Sequence, residues 1–482
     1  MNTRSILHTF FTFIILCCTV NSMAQGYKID VSVKGWQDTT LILGHYFNKK
    51  MLVNDTIYID SKGSGTFSGK DRLPGGVYII YMPDQKYFDI IVDDEQHFSI
   101  IADKENPVQS LEVNGNKQER AFNDYQKFIF NKQEKANEIQ EKLKNKDQYS
   151  KEQVDAWKKK LGVLSTEVNS YWDKILDKHK GTFLASFIKA MREIEVPDFK
   201  ELNEPDSIIQ VKRYQYYKHH YFDNFDMKDD RLMRTPFFTG KLENFFSKTV
   251  LQIPDSLVKE SVRIIEMAEG NKEMEKYLIQ FTFNYANDSK LMGMDAAMVQ
   301  LGEKYYLSGI ADWVDEEFIE KLEDRITKLK PNLIGNQAPD LKMVSLNNQY
   351  FRLSEVYAPL TVLVFWEPDC GHCKKEIPKL KEVVWDKYQD IGVKIFAVFT
   401  QHETEKWSEF IAEHQLEEWI NVYDPYHQSN FRNLYDIYST PAIYILDENK
   451  KIIGKRIGAE QVPGFIDHHL GLSGHSNISR QQ

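Results

Sequence analysis

The stretch from Leu360 to Cys373 restricts this chain more than any other. Leu360-Thr361-Val362-Leu363-Val364-Phe365 is apolar at all but one position, and Trp366-Glu367-Pro368-Asp369-Cys370-Gly371-His372-Cys373 follows without a gap. A short apolar run bounded by turn residues predicts a central parallel strand covered on both faces. The turn then leads into a helix through Lys374 to Leu380, whose first turn carries two thiols three residues apart. At that spacing the sulfurs can reach each other as a disulfide. The first also meets the unpaired amides and the dipole of the helix start, which favour a thiolate. Such a site exchanges electrons with other thiols.

The 482 residues exceed one ordinary core, and three folded units are expected after a processed leader. Residues 1–24 read as a cleaved secretory signal, with Arg4 at the start, an apolar stretch from Ile6 to Val20, and Ser22-Met23-Ala24 at the cleavage site. Cys17 and Cys18 raise the alternative of lipidation, against which Leu16 is bulky where a small residue should stand. Removing the leader leaves Cys370 and Cys373 of the four cysteines. A chain of this length with one cysteine pair is not stapled by disulfides, so its intramolecular disulfide is the one in the motif. The formal charge of -10 argues against nucleic acid as a partner. After the leader, no segment approaches the length of a membrane span.

Ahead of the motif the text changes period once. Residues 25–110 read as an all-β domain, a sandwich or an open barrel: Tyr27 to Val33, Thr40 to Gly44, Thr56 to Ile59, Val77 to Tyr81 and Phe88 to Val92 are strand-like, and glycines punctuate them. Asp93-Asp94-Glu95 reads as a solvated turn, since a calcium loop would need a glycine and later ligands that are missing. Residues 111–330 read as a helical domain, with amphipathic patterns around Phe122 to Ile129, Trp157 to Leu176, Phe183 to Met191 and several later segments. Within it, Tyr214, Tyr216, Tyr217, His219, His220 and Tyr221 form an aromatic cluster whose expected use is helix packing rather than a ligand groove. Adjacent histidines diverge on a helix, so His219 and His220 do not suggest a metal site.

Residues 331–475 read as an α/β domain and 476–482 as a flexible tail. Leu341 to Met343 and Tyr350 to Leu353 suggest a hairpin around Asn347-Asn348. Further strands are expected at Val393 to Phe399, Trp419 to Tyr423, Ser439 to Leu446 and Ile452 to Ile457, with helices at Glu405 to His414 and Val462 to Leu470. Pro378 removes an amide inside the motif helix and should bend it. The result is a sheet covered on both sides.

This last part, about 333 to 475, resembles the thioredoxin superfamily, and within it the TlpA- and ResA-type periplasmic thiol-disulfide oxidoreductases associated with cytochrome c biogenesis. The resemblance rests on Gly335-Asn336-Gln337-Ala338-Pro339-Asp340, Phe365-Trp366, the Cys370-Gly371-His372-Cys373 pair, Glu376-Ile377-Pro378 and Thr440-Pro441. The front of the chain resembles the β domain, of the kind called DUF4369, and the helical region that precede such domains in exported Bacteroidetes proteins. The sequence departs from thioredoxins in two places. Asp369 stands where a second tryptophan precedes the first cysteine, and Val364 stands at the buried aspartate of the proton relay. Glu367 and Asp369 are the candidates to replace that relay, and each is equally readable as a solvated loop carboxylate.

The resemblance implies a multidomain chain: all-β, helical, then thioredoxin-like α/β. Cys370 would attack a partner disulfide and Cys373 would resolve the mixed disulfide. His372 would stabilise the thiolate in its cationic form, while Asp369 opposes it. Thr440-Pro441 would be a cis pair facing the cysteines, with the backbone of Thr440 offered to an extended client. Trp366, Glu367, Asp369, Cys370, His372, Cys373, Thr440 and Pro441 are thus the expected site residues. No cofactor and no metal are expected. The expected function is an exported, periplasmic oxidoreductase that reduces protein disulfides, acting on protein thiols and disulfides and supplied by a membrane electron donor. Outer-membrane association and a homodimer through the N-terminal domains stay open. The alternatives are a client-binding or dimerising scaffold with an accessory redox domain, a disulfide isomerase or oxidase, and a peroxide-reducing enzyme. Against the last, Glu367 occupies the threonine position of the peroxidatic Thr-x-x-Cys pattern.

Overall fold

The computed structural model describes residues 26–472; the signal expected over 1–24 and the tail expected over 476–482 lie outside the described residues. The chain divides into two compact units between Glu243 and Asn244. The helical stretch is therefore shared between them.

The first unit opens with strands β1 Tyr27–Lys34, β2 Thr39–Phe47, β3 Lys50–Ile59, β4 Ser64–Gly69, β5 Gly76–Tyr81, β6 Tyr87–Val92 and β7 His97–Asp103, then the short helix α1 Pro107–Ser110 and strand β8 Glu112–Asn114. They form two sheets, ordered β4-β1-β7-β8 and β3-β2-β5-β6. Period-two alternation turns Ile29, Val31 and Val33 of β1 toward Leu41 and Leu43 of β2 and Ile90 and Val92 of β6 in one core. This is the sandwich arrangement. Helices α2 Lys117–Lys144, α3 Lys151–Lys178, α4 Phe183–Met191, α5 Asp206–His220 and α6 Phe238–Asn244 follow.

Helix α2 is fixed to the sandwich through a buried carboxyl. Asn116 caps it by accepting from the Glu119 amide at 2.9 Å, and Glu119, itself fully buried, accepts from the Ile91 amide of β6 at 2.6 Å. Burial holds the Glu119 carboxyl well above its ordinary value, and neighbouring Asp89 pushes it further the same way. Asp93 departs from the solvated turn expected there: it accepts from the Arg231 guanidinium at 2.8 Å and from Gln118 at 3.0 Å. Its partner lies far along the chain, which local turn chemistry cannot reveal. Helix α5 has no fully buried residue, and its aromatic cluster packs at half-buried positions: Tyr216 lies 4.1 Å from His220 and 5.9 Å from Phe199 beyond the helix, and the Tyr221 hydroxyl donates to the Lys241 carbonyl at 3.2 Å.

The second unit carries helices α7 Pro254–Met267, α8 Lys272–Asn287, α9 Asp295–Leu301 and α10 Glu316–Leu329, then a mixed seven-stranded sheet. Its elements are β9 Lys342–Val344, β10 Tyr350–Arg352, β11 Leu360–Trp366, α11 Cys373–Leu380, α12 Asp386–Tyr388, β12 Lys394–Phe399, α13 Thr404–Glu413, β13 Ile420–Tyr423, α14 Phe431–Leu434, β14 Ala442–Asp447, β15 Ile452–Lys455 and α15 Val462–His469. The order is β10-β9-β13-β12-β11-β14-β15, with β11 parallel to β12 and antiparallel to β14. Every residue of β11 is buried. Val362, Val364 and Trp366 pack on one face with Cys373, Ile377 and Trp407, while Leu363 and Phe365 meet Tyr435 and Tyr444 on the other. That double burial is why the run is almost wholly apolar. After Pro378 the motif helix widens into a π-helical stretch at Lys381–Trp385.

Candidate active site

Strand β11 delivers Trp366 to the end of the sheet, and the chain turns there before α11. The Cys370 carbonyl accepts from the Lys374 amide at 3.0 Å, so hydrogen-bonded helical winding starts at Cys370 itself. Cys370 thereby sits in the turn that enters α11, and its Sγ lies 3.5 Å from the Cys373 amide. Both cysteines are free thiols, Cys370 half-buried and Cys373 buried.

The two sulfurs have opposite surroundings. Burial raises the Cys370 thiol, but the amides of Cys373 and His372, with the Cys373 thiol, outweigh it and bring the group below its ordinary value. Burial dominates at Cys373, where the opposing amide of Glu367 is too little, and the thiol is pushed up to about 12. One is therefore the readier nucleophile and the other is held protonated.

Thr440-Pro441 is a cis pair. The Cys370 thiol donates to the Thr440 carbonyl at 3.2 Å. That bond requires the proton, so ionisation of Cys370 frees the Thr440 carbonyl. Glu367 ties the same loop to the sheet: its carboxylate accepts from the hydroxyls of Thr440 at 3.0 Å and Thr400 at 3.2 Å, and from the Gln401 amide at 2.7 Å. Thr400 and Gln401 follow β12 and had no signal in the sequence, because only the β11–β12 register brings them beside Glu367.

The remaining expected residues sit as follows. Asp369 is half-exposed and bound to Lys406 at 2.9 Å, which offsets the negative charge beside Cys370. His372 brings its backbone amide to the Cys370 sulfur, and its side chain is exposed. Trp366 is fully buried, 5.0 Å from Phe410 ring to ring, and belongs to the core beneath the site. Among the described residues no cluster of three or more His, Cys, Asp or Glu side chains is arranged to hold a metal ion, and no helix is long and apolar enough to cross a membrane.

Three family models match successive parts of the chain: DUF4369, a domain of unknown function, over residues 27–122; DUF5106, also of unknown function, over 130–332; and the AhpC/TSA family over 334–455. Among curated proteins the chain is similar to the thiol-disulfide oxidoreductase ResA of Bacillus cereus, 24% identical over 136 residues, 28% of this chain and 76% of ResA. Among solved structures it is similar to a domain of a possible thiol-disulfide isomerase from Cytophaga hutchinsonii, with 38% identity over 29% of this chain and 95% of that one, at a TM-score of 0.28. It is also similar to a thioredoxin-like protein from Bacteroides caccae, with 17% identity over 58% of this chain and 99% of that one, at a TM-score of 0.43.

Proposed function

We propose that this chain, which matches the DUF4369 and AhpC/TSA models at its two ends and is similar at low identity to ResA, is a multidomain protein of the thioredoxin superfamily and an exported thiol-disulfide oxidoreductase that reduces protein disulfides. The observation that carries the reading is the placement of the two sulfurs: Cys370, half-buried at a helix start, faces the cis Thr440-Pro441 pair, and Cys373 is buried behind it.

In the proposed reaction the Cys370 thiolate attacks one sulfur of a client disulfide. The client S–S bond breaks, a mixed disulfide forms, and the departing client thiolate takes up a proton. Cys373 then gives up its proton and attacks Cys370. The second client thiol leaves, and the protein retains the Cys370–Cys373 disulfide, so two electrons have passed to the client. A dithiol donor, which we place at the membrane of the exporting cell, returns the pair to its reduced state. Glu367 acts by positioning: it braces Thr440 against Cys370 through its carboxylate and faces Cys373 with its amide.

The test is reduction of insulin disulfides by the reduced full chain. Cys370→Ala should abolish it, and Cys373→Ala should stop at a mixed disulfide recoverable on a non-reducing gel. Undiminished reduction by Cys370→Ala would remove the reading.

A further inference from the structure

The segment between α14 and β14 ends at Thr440, against Cys370, and its other contacts come from outside the motif. Asp436, in a left-handed turn at φ 51° and 6% exposed, is gripped by two guanidinium groups. Arg325 of α10 donates to its carboxylate at 2.5 Å, and Arg456, just after β15, donates to its carboxylate and, at 3.0 Å, to its carbonyl. Asn332, which follows α10, donates to the Leu434 carbonyl at 3.2 Å. Arg456 also donates to the Tyr438 hydroxyl at 3.0 Å, and the guanidinium carbons of Arg456 and Arg325 lie 4.8 and 5.8 Å from the Tyr438 ring centre.

Tyr438 nevertheless remains 72% exposed. The ring is held by two cations and keeps most of its surface in solvent. It loses little further freedom when something lies against it. Asp436 orients both guanidinium groups but balances only one of their charges, so the surface offered is the ring on a positively charged base.

Building on the reductase reading above, we propose that Tyr438 is a specificity-determining residue of the redox site, reading an aromatic or long apolar side chain near the cysteine of an extended, disulfide-bearing client. Arg325 is its positioning residue. The helix α10, which precedes the thioredoxin-like domain, thus helps to hold that ring in place through Arg325.

The test uses the reduced full chain in single turnover against three disulfides: oxidised glutathione, a glycine-based peptide with a Phe close to a cysteine held as its glutathione mixed disulfide, and the same peptide with Ser for Phe. The wild-type chain should reduce the Phe peptide about tenfold faster than the Ser peptide, the scale of one well-packed aromatic contact. Tyr438→Ala should erase that preference and leave glutathione unchanged, Tyr438→Phe should keep it, and Arg325→Gln should weaken it. No preference in the wild-type chain, or an equal slowing of all three disulfides by Tyr438→Ala, would overturn the inference. Wild-type reaction with none of the three would overturn the reductase reading itself.

Discussion

The amides of His372 and Cys373 favour negative charge on the Cys370 sulfur, whereas Cys373 lies in the core behind it. The consequence is a difference in titration. Because the folded Cys370 sits below its ordinary value, its thiolate forms at lower pH than in the unfolded chain. Alkylation of the reduced protein by iodoacetamide should therefore rise with pH at Cys370 with a midpoint below that of the unfolded chain, while Cys373 stays unmodified toward its own value of about 12. Mass spectrometry of digests taken across that range checks it, and equal labelling of both thiols at neutral pH would contradict the assignment. Glu367 makes a second prediction at this scale. Glu367→Gln retains one acceptor for the three donors of Thr440, Thr400 and Gln401, and brings a new donor against Gln401. Insulin reduction should fall about tenfold, the effect of about 1.4 kcal/mol lost in positioning, with the midpoint of urea unfolding little changed.

At the scale of elements, two carboxyls resist ionisation near the α2–β6 contact: Glu119, which joins the two, and Asp89 of β6, which faces β2. Asp89 accepts from the Tyr46 hydroxyl at 2.9 Å, yet burial still raises it to about 6. A carboxyl raised on folding gives stability that is complete below its unfolded value near 3.8 and is lost as pH rises through about 6. Asp89→Asn should accordingly raise the urea midpoint of the first unit at pH 7 and leave it unchanged at pH 3.5. The scale is about 2 to 3 kcal/mol, from a shift of roughly two units. A fall at pH 7 would mean that the ionised form is the one the fold requires. The elements themselves were legible to different degrees. β1, β5, β6 and β11 follow directly from alternation or continuous burial. β4 is glycine-rich text that pairs through its backbone with β1, so side-chain pattern had little to report, and α14 is too short to show a helical period.

In the second unit the helices before residue 333 do not merely precede the thioredoxin-like sheet. Lys455 at the end of β15 is 3% exposed; its ammonium donates to the carbonyl and side-chain oxygens of Asn332 at 2.9 and 3.0 Å and pairs with Asp295 of α9. Lys455→Ala leaves Asp295 and Asn332 without their cation and should lower stability by about 3 to 5 kcal/mol, read by urea unfolding of the full chain; a loss within error would show that the buried pair is dispensable. None of this was legible, because residues 295, 325 and 332 meet 436, 455 and 456 only after the sheet is built. The motif was legible because its chemistry is local: the strand, the turn and both sulfurs lie within Leu360 to Cys373. The braces around it, Thr400, Gln401, Lys406 and Arg456, come from other elements and carry no such pattern. In the proposed function Cys370 and Cys373 form one reversible two-electron couple working as a reductant. Its most direct test is the equilibrium reduction potential of the full chain in glutathione and dithiothreitol buffers, read as the fraction of disulfide. A single two-electron transition near that of thioredoxin, about -270 mV, is expected, and it should be absent in Cys370→Ala. A potential near that of the strong oxidant DsbA, about -120 mV, or a pair that never forms a disulfide, would contradict it.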